Sequence, residues 1–128
     1  MKILVVDDDM LIRKVVAQYF SKREFLVMTS DNGEDALELF YNAEEKFDAI
    51  ITDIMMPKMN GIEFTKKVKA LNTNIPVIAM TAGDIEKIAD QAYLFESIFS
   101  KPVELAKLLE LVLQKIEEGR KGKGKDEG

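Results

Sequence analysis

The chain of 128 residues has no cysteine, no histidine and no tryptophan. Without cysteine there is no disulfide, thiolate metal site or thiol nucleophile. Without histidine the commonest general base, the commonest transition-metal ligand and the serine–histidine hydrolase layout are lost together. Acid–base or nucleophilic chemistry is left to Asp, Glu, Lys, Tyr, Ser and Thr. No apolar run approaches the length of a membrane span, and the opening MKILVVDDD lacks the cleavage region of a signal peptide. A cytoplasmic protein with no membrane partner is therefore expected. Positive charge is in the minority, and the formal net charge of −5 argues against a nucleic-acid partner.

What is present suits one globular domain. Hydrophobic residues make up 47% and charged residues 32%, a soluble rather than a disordered balance. Lys2 to Val6 is apolar on both faces, as in a buried parallel strand. Leu11, Ile12, Val15, Val16, Tyr19 and Phe20 follow at helical spacing. Phe25 to Thr29 is β-branched and aromatic, a second strand. Asn32 is placed to cap a helix marked by Ala36, Leu37, Phe40 and Ala43. Ala49 to Thr52 forms a third strand ending at Asp53, and MMPKMNG (55–61) a loop. Phe64, Val68 and Leu71 mark a third helix. Pro76 to Met80 is a fourth strand ending at Thr81. A short fourth helix begins behind a cap at Asp84, and Ser97 to Ser100 is a short fifth strand ending at Lys101. Leu105, Leu108, Leu109, Val112 and Ile116 stripe the last helix. Leu111 lies roughly 120° off that stripe; an isolated exposed leucine is its ordinary reading, a partner or dimer surface the alternative.

This fivefold β–α alternation predicts an α/β domain, a parallel sheet with helices on both faces. The domain is expected to span 1–118. The remaining GRKGKGKDEG (119–128), with four basic and two acidic residues and none apolar, is expected to be a disordered charged tail.

The stretch ILVVDDDM poses the functional question. Three adjacent carboxylates, Asp7, Asp8 and Asp9, follow an apolar strand, and they need compensating positive charge. Ligands of open parallel sheets bind beyond the carboxyl ends of the strands. Those ends carry Asp7 and Asp8, Asp53, Thr81 and Lys101. If the first and third strands are neighbours, three carboxylates meet, an oxygen-only set suited to Mg2+. Singly, each residue has a bland reading as a helix cap, a surface lysine or a strand-end threonine. Caps, however, have no use for Lys101 and Thr81 on other strands. A carboxylate beside Mg2+, an ammonium and a hydroxyl can accept a phosphoryl group as an acyl phosphate.

VVDDD, DIMMPKMNGIE, MTA and SKP together resemble the receiver domain of two-component response regulators, over Lys2 to about Glu118. The resemblance is to stand-alone receivers of the chemotaxis or sporulation-relay type. It implies a flavodoxin-like fold with five helices and strand order 2-1-3-4-5. It implies Asp53 as phosphoacceptor, Mg2+ on Asp8, Asp53 and the Met55 carbonyl with Asp7 acting through a bound water, Thr81 as switch hydroxyl and Lys101 as phosphate partner. A cis Lys101–Pro102 bond also belongs to the family. The donor would be a phosphohistidine on a sensor histidine kinase or a histidine phosphotransfer protein, so the chain needs no histidine of its own. A downstream protein target, and a monomer or weak phosphorylation-dependent dimer, complete the implied picture: a signalling switch that catalyses only its own phosphorylation and dephosphorylation.

Several positions depart from the family pattern. Ile98 stands where an aromatic is usual, with Phe99 expected on the opposite face, and Leu94 and Phe95 replace a Gly-Ala pair. Met55 and Gly83 occupy positions that tune hydrolysis in the family, and neither side chain can orient a water. Two other functions compete. One is a phosphorylation-independent docking module. The other is a small phosphatase of the haloacid-dehalogenase type, whose Asp-x-Asp spacing Asp7 and Asp9 match. Leu11 replaces the residue expected next in that motif, and the chain has no room for a cap domain.

Overall fold

The computed structural model describes residues 1–72 and 74–127, with side chains described through residue 120. Five strands form one parallel sheet: β1 (Lys2–Val6), β2 (Leu26–Ser30), β3 (Ala49–Asp53), β4 (Val77–Thr81) and β5 (Ser97–Ser100). Their spatial order is 2-1-3-4-5. The first crossover runs outward to β2 and the second returns past β1 to β3, so the chain reverses direction at β1. This is the topological switch point at which such sheets hold ligands.

Side chains alternate across the pleat and supply two cores. Leu4, Val6, Ile50, Val77 and Ala79 face α2 (Gly33–Asn42) and α3 (Gly61–Leu71), meeting Ala36, Phe64 and Val68. Ile3, Val5, Ile51, Ile78 and Met80 face the other way, meeting Val16 and Phe20 of α1 (Met10–Ser21) and Leu108, Val112 and Ile116 of α4 (Leu105–Glu127). Sheet strands apolar on both faces are the consequence of this double cover.

Asn32 and Asp84 cap as expected. The Asn32 side chain accepts from Asp35 N at 2.9 Å, and Asp84 accepts from Glu86 N at 3.0 Å. The fourth helix, Ile85–Leu94, is 3-10 rather than α and breaks helical geometry at Ile88 (φ −113°, ψ 17°). The segment is therefore two short 3-10 pieces meeting at that kink, the length at which i to i+3 bonding is usual. Ile98 and Phe99 pack on opposite faces as expected, and Leu94 and Phe95 are buried in the α3-side core. Leu111 corrects the idea of a spare partner surface: it is half-buried against the α1-side core, and Leu113 is the exposed leucine nearby. The side chains of the expected charged tail lie, from residue 121 onward, outside the described residues.

Candidate functional site

The three adjacent carboxylates divide their labour. Asp9 is the N-cap of α1, accepting from Leu11 N at 2.9 Å and Ile12 N at 3.2 Å. Asp7, fully buried, accepts from Asp9 N at 2.9 Å through Oδ1. Its main-chain carbonyl accepts from the Arg13 guanidinium at 2.7 Å, a link the residue pattern did not announce. Asp8 is exposed between them.

Asp53 ends β3 and is 4% exposed. Because β1 pairs with β3, with Val6 opposite Thr52, the carboxylates of Asp7, Asp8 and Asp53 converge, with one oxygen of each within 4.8 Å of the others. Lys101 answers part of the charge problem. Its Nζ lies 2.9 Å from Asp7 Oδ2 and 3.1 Å from Asp53 Oδ2, reaching across from the end of β5. The peptide between Lys101 and Pro102 is cis. The other oxygen of Asp53, Oδ1, accepts from Met55 N at 3.3 Å.

One ammonium does not satisfy this cluster. Asp7 Oδ2 has the Lys101 ammonium at 2.9 Å, shared with Asp53, and no hydrogen-bond donor besides it. Burial, and then the charge of Asp7, push the Asp53 carboxyl up to about 6, against the pull of Lys101 and of the Met55 N–H. For Lys101, burial acts to lower the pKa, but the contacts with Asp7 and Asp53 outweigh it and the net shift is upward. A buried carboxylate oxygen with no other donor, beside two further carboxylates, is a donor set that fits a hard divalent cation or its bound water.

Thr81, at the end of β4, is buried, and its Oγ accepts from Gly83 N at 2.9 Å. Its hydroxyl proton therefore remains to be donated elsewhere. Asp53 pairs with Met80 in the β3–β4 register, which sets Thr81 one residue beyond, at the same rim. Gly61, at the start of α3, comes so close that a Cβ there would lie 2.2 Å from the Asp53 carbonyl oxygen. Lys58 in the intervening loop has φ 67°, and Met59 N donates to Pro57 O at 2.8 Å across it, a strained three-residue turn. Cavities of ≈ 580, 300 and 420 Å³ are lined by other residues, with Asp7, Asp53, Thr81 and Lys101 in none of them.

Fold and site together define a doubly wound parallel sheet with an acidic cluster and a lysine at its carboxyl rim. The chain belongs to the response regulator receiver domain family, whose model matches residues 3–113. It is 36% identical over 107 residues to a cyclic di-GMP phosphodiesterase of Thermotoga maritima, covering 82% of this chain and 28% of that one. It is 31% identical over 110 residues to the response regulator MprA of Mycolicibacterium vanbaalenii, covering 84% and 47%. The chain spans less than half the length of the curated relatives it matches. Among solved structures, a CheY-like receiver domain protein from Methanospirillum hungatei superposes with a TM-score of 0.88 at 26% identity, over 94% of this chain and 97% of that one. The response regulator TrrA of Thermotoga maritima, solved in complex with Mg2+ and BeF, gives 0.81 at 26% identity, over 89% and 97%. No helix among the described residues is long and apolar enough to cross a membrane.

Proposed function

We propose that Asp53 accepts a phosphoryl group from a phosphohistidine on a sensor histidine kinase or a histidine phosphotransfer protein. The observation that carries this reading is Lys101 Nζ held between the Asp7 and Asp53 carboxylates, with Asp8 beside them. A carboxylate oxygen of Asp53 attacks phosphorus, the P–N bond breaks, and the electron pair leaves with the donor imidazole. The acyl phosphate remains on Asp53. Lys101 pairs with one phosphoryl oxygen, and the Thr81 hydroxyl, its oxygen already bonded by Gly83 N, donates to another. Catalysis here is positioning and charge compensation.

Mg2+ would be held by Asp8, Asp53 and the Met55 carbonyl, with Asp7 acting through a bound water, and it would supply positive charge to offset the carboxylates and the incoming phosphoryl group. The Asp7 oxygen with no hydrogen-bond donor besides Lys101 supports that placement. A phosphorylation-independent docking role draws on Ile98 alone, and the complete acceptor set weighs against it.

Incubation with Mg2+ and acetyl phosphate yields an acid-stable, base-labile adduct that Asp53→Asn and chelation both abolish. Turnover of a generic phosphate ester requiring Asp7 would instead establish a phosphatase. With no side-chain acceptor at Met55 or Gly83 to orient water, the adduct outlives the seconds range at room temperature.

A further inference from the structure

We propose that Met55 is a site of reversible oxidation to the sulfoxide, and that this modification shortens the life of the phosphoryl group on Asp53. The second half rests on the phosphoacceptor reading above.

The chain has no cysteine, so methionine is its only sulfur. Of seven methionines, Met10, Met55, Met56 and Met59 fall in the segments that follow β1 and β3, where the carboxylates are. These four are not equivalent. Met55 is 69% exposed and Met10 59%. Met56 and Met59 are half-buried against the α3-side core, and Met80 is fully buried. Thioether oxidation follows access to the oxidant, so Met55 and Met10 react first.

Met55 alone of these is tied to the acceptor. Its N–H donates to Asp53 Oδ1, which fixes its backbone against the carboxylate while the side chain stays in solvent. With a peroxide as oxidant, one oxygen atom is delivered to the sulfur. The O–O bond breaks, an S–O bond forms, sulfur loses two electrons, and water or alcohol leaves. The product replaces a weak acceptor with a strong one. Beside an acyl phosphate, that oxygen can hold an attacking water by a hydrogen bond that the thioether cannot make.

The test uses the whole chain. Peroxide titration followed by peptide mass analysis should show Met55 gaining oxygen before Met56, Met59 and Met80. Oxidised protein, phosphorylated with acetyl phosphate and Mg2+, should lose its phosphoryl group about fivefold faster, the rate equivalent of one hydrogen bond. Methionine sulfoxide reductase should restore the slower rate. Met55→Leu, whatever its own lifetime, should be indifferent to peroxide, while Met10→Leu should keep the response. Oxidation of Met55 no faster than that of Met80 overturns the proposal. So does an equal peroxide effect in Met55→Leu. Absence of any adduct on unoxidised protein overturns the phosphoacceptor reading and removes the second half with it, while the order of oxidation is still read by mass.

Discussion

A single carboxyl shows how the site stores its tension. The folded Asp53 pKa is about 6 against an ordinary 3.8, because burial and Asp7 both disfavour its charge. The folded state therefore holds a proton that the unfolded chain has already released. This group makes stability fall as pH rises from 3.8 to about 6, with no further change above that. Melting curves in chelator should show Asp53→Asn gaining on the wild type across that window and then holding its lead; a constant difference would refute the assignment. Lys101 provides the opposite test. Replacing it with Met leaves Asp7 and Asp53 facing each other unpaired, a loss of roughly 3 kcal/mol for breaking a buried pair. Urea unfolding should find that loss in chelator and a smaller one in saturating Mg2+, where a second cation serves the same carboxylates. Equal losses in both conditions would contradict a shared electrostatic role.

At the level of elements, two glycines that look alike in the sequence have opposite meanings. Gly61 starts α3 against the Asp53 carbonyl, where an added Cβ meets backbone that cannot yield. Gly61→Ala should cost on the order of 1–3 kcal/mol by overpacking and weaken Mg2+ binding, since β3 and its loop must shift. Gly119, in α4, would place a Cβ in open space. Gly119→Ala should stabilise by about 0.5–1 kcal/mol through helix propensity, without effect on Mg2+. Thermal melts and a Mg2+ titration of both variants distinguish them. The caps at Asn32 and Asp84 were legible because capping is a local hydrogen bond. The 3-10 geometry of the two short pieces in Ile85–Leu94 was not, since 3-10 and α turns share apolar spacing over such short runs. Leu111 was misplaced for a related reason: an angular stripe treats a helix as having one partner, and α4 packs beside α1 as well as on the sheet.

For the molecule as a whole, the site joins β1, β3, β4 and β5, so a bound cation reports on global stability. Melting temperature should climb with Mg2+ concentration once the dissociation constant is passed, the folded state gaining about 2.7 kcal/mol at a hundredfold excess over it. Asp8→Ala should remove most of the gain. Calorimetry with and without Mg2+ checks this, and a melting point indifferent to Mg2+ would remove the metal from the account. The same joining explains why one cation and three anions far apart in the chain act as one group: Lys101 and Asp53 are 48 residues apart and 3.1 Å from each other.

The residue pattern by itself determined the β–α alternation, strands apolar on both faces and polar residues at the strand ends, because periodicity and capping are short-range properties of the chain. The strand order was not in that pattern; it came with the family resemblance and is borne out in the structure. Only the tertiary structure decided that Asp7, Asp8 and Asp53 converge and that Lys101 stands between two carboxylates. Those outcomes depend on which strands pair and on where crossovers bring distant segments together. Non-local packing of that kind leaves no trace in local spacing.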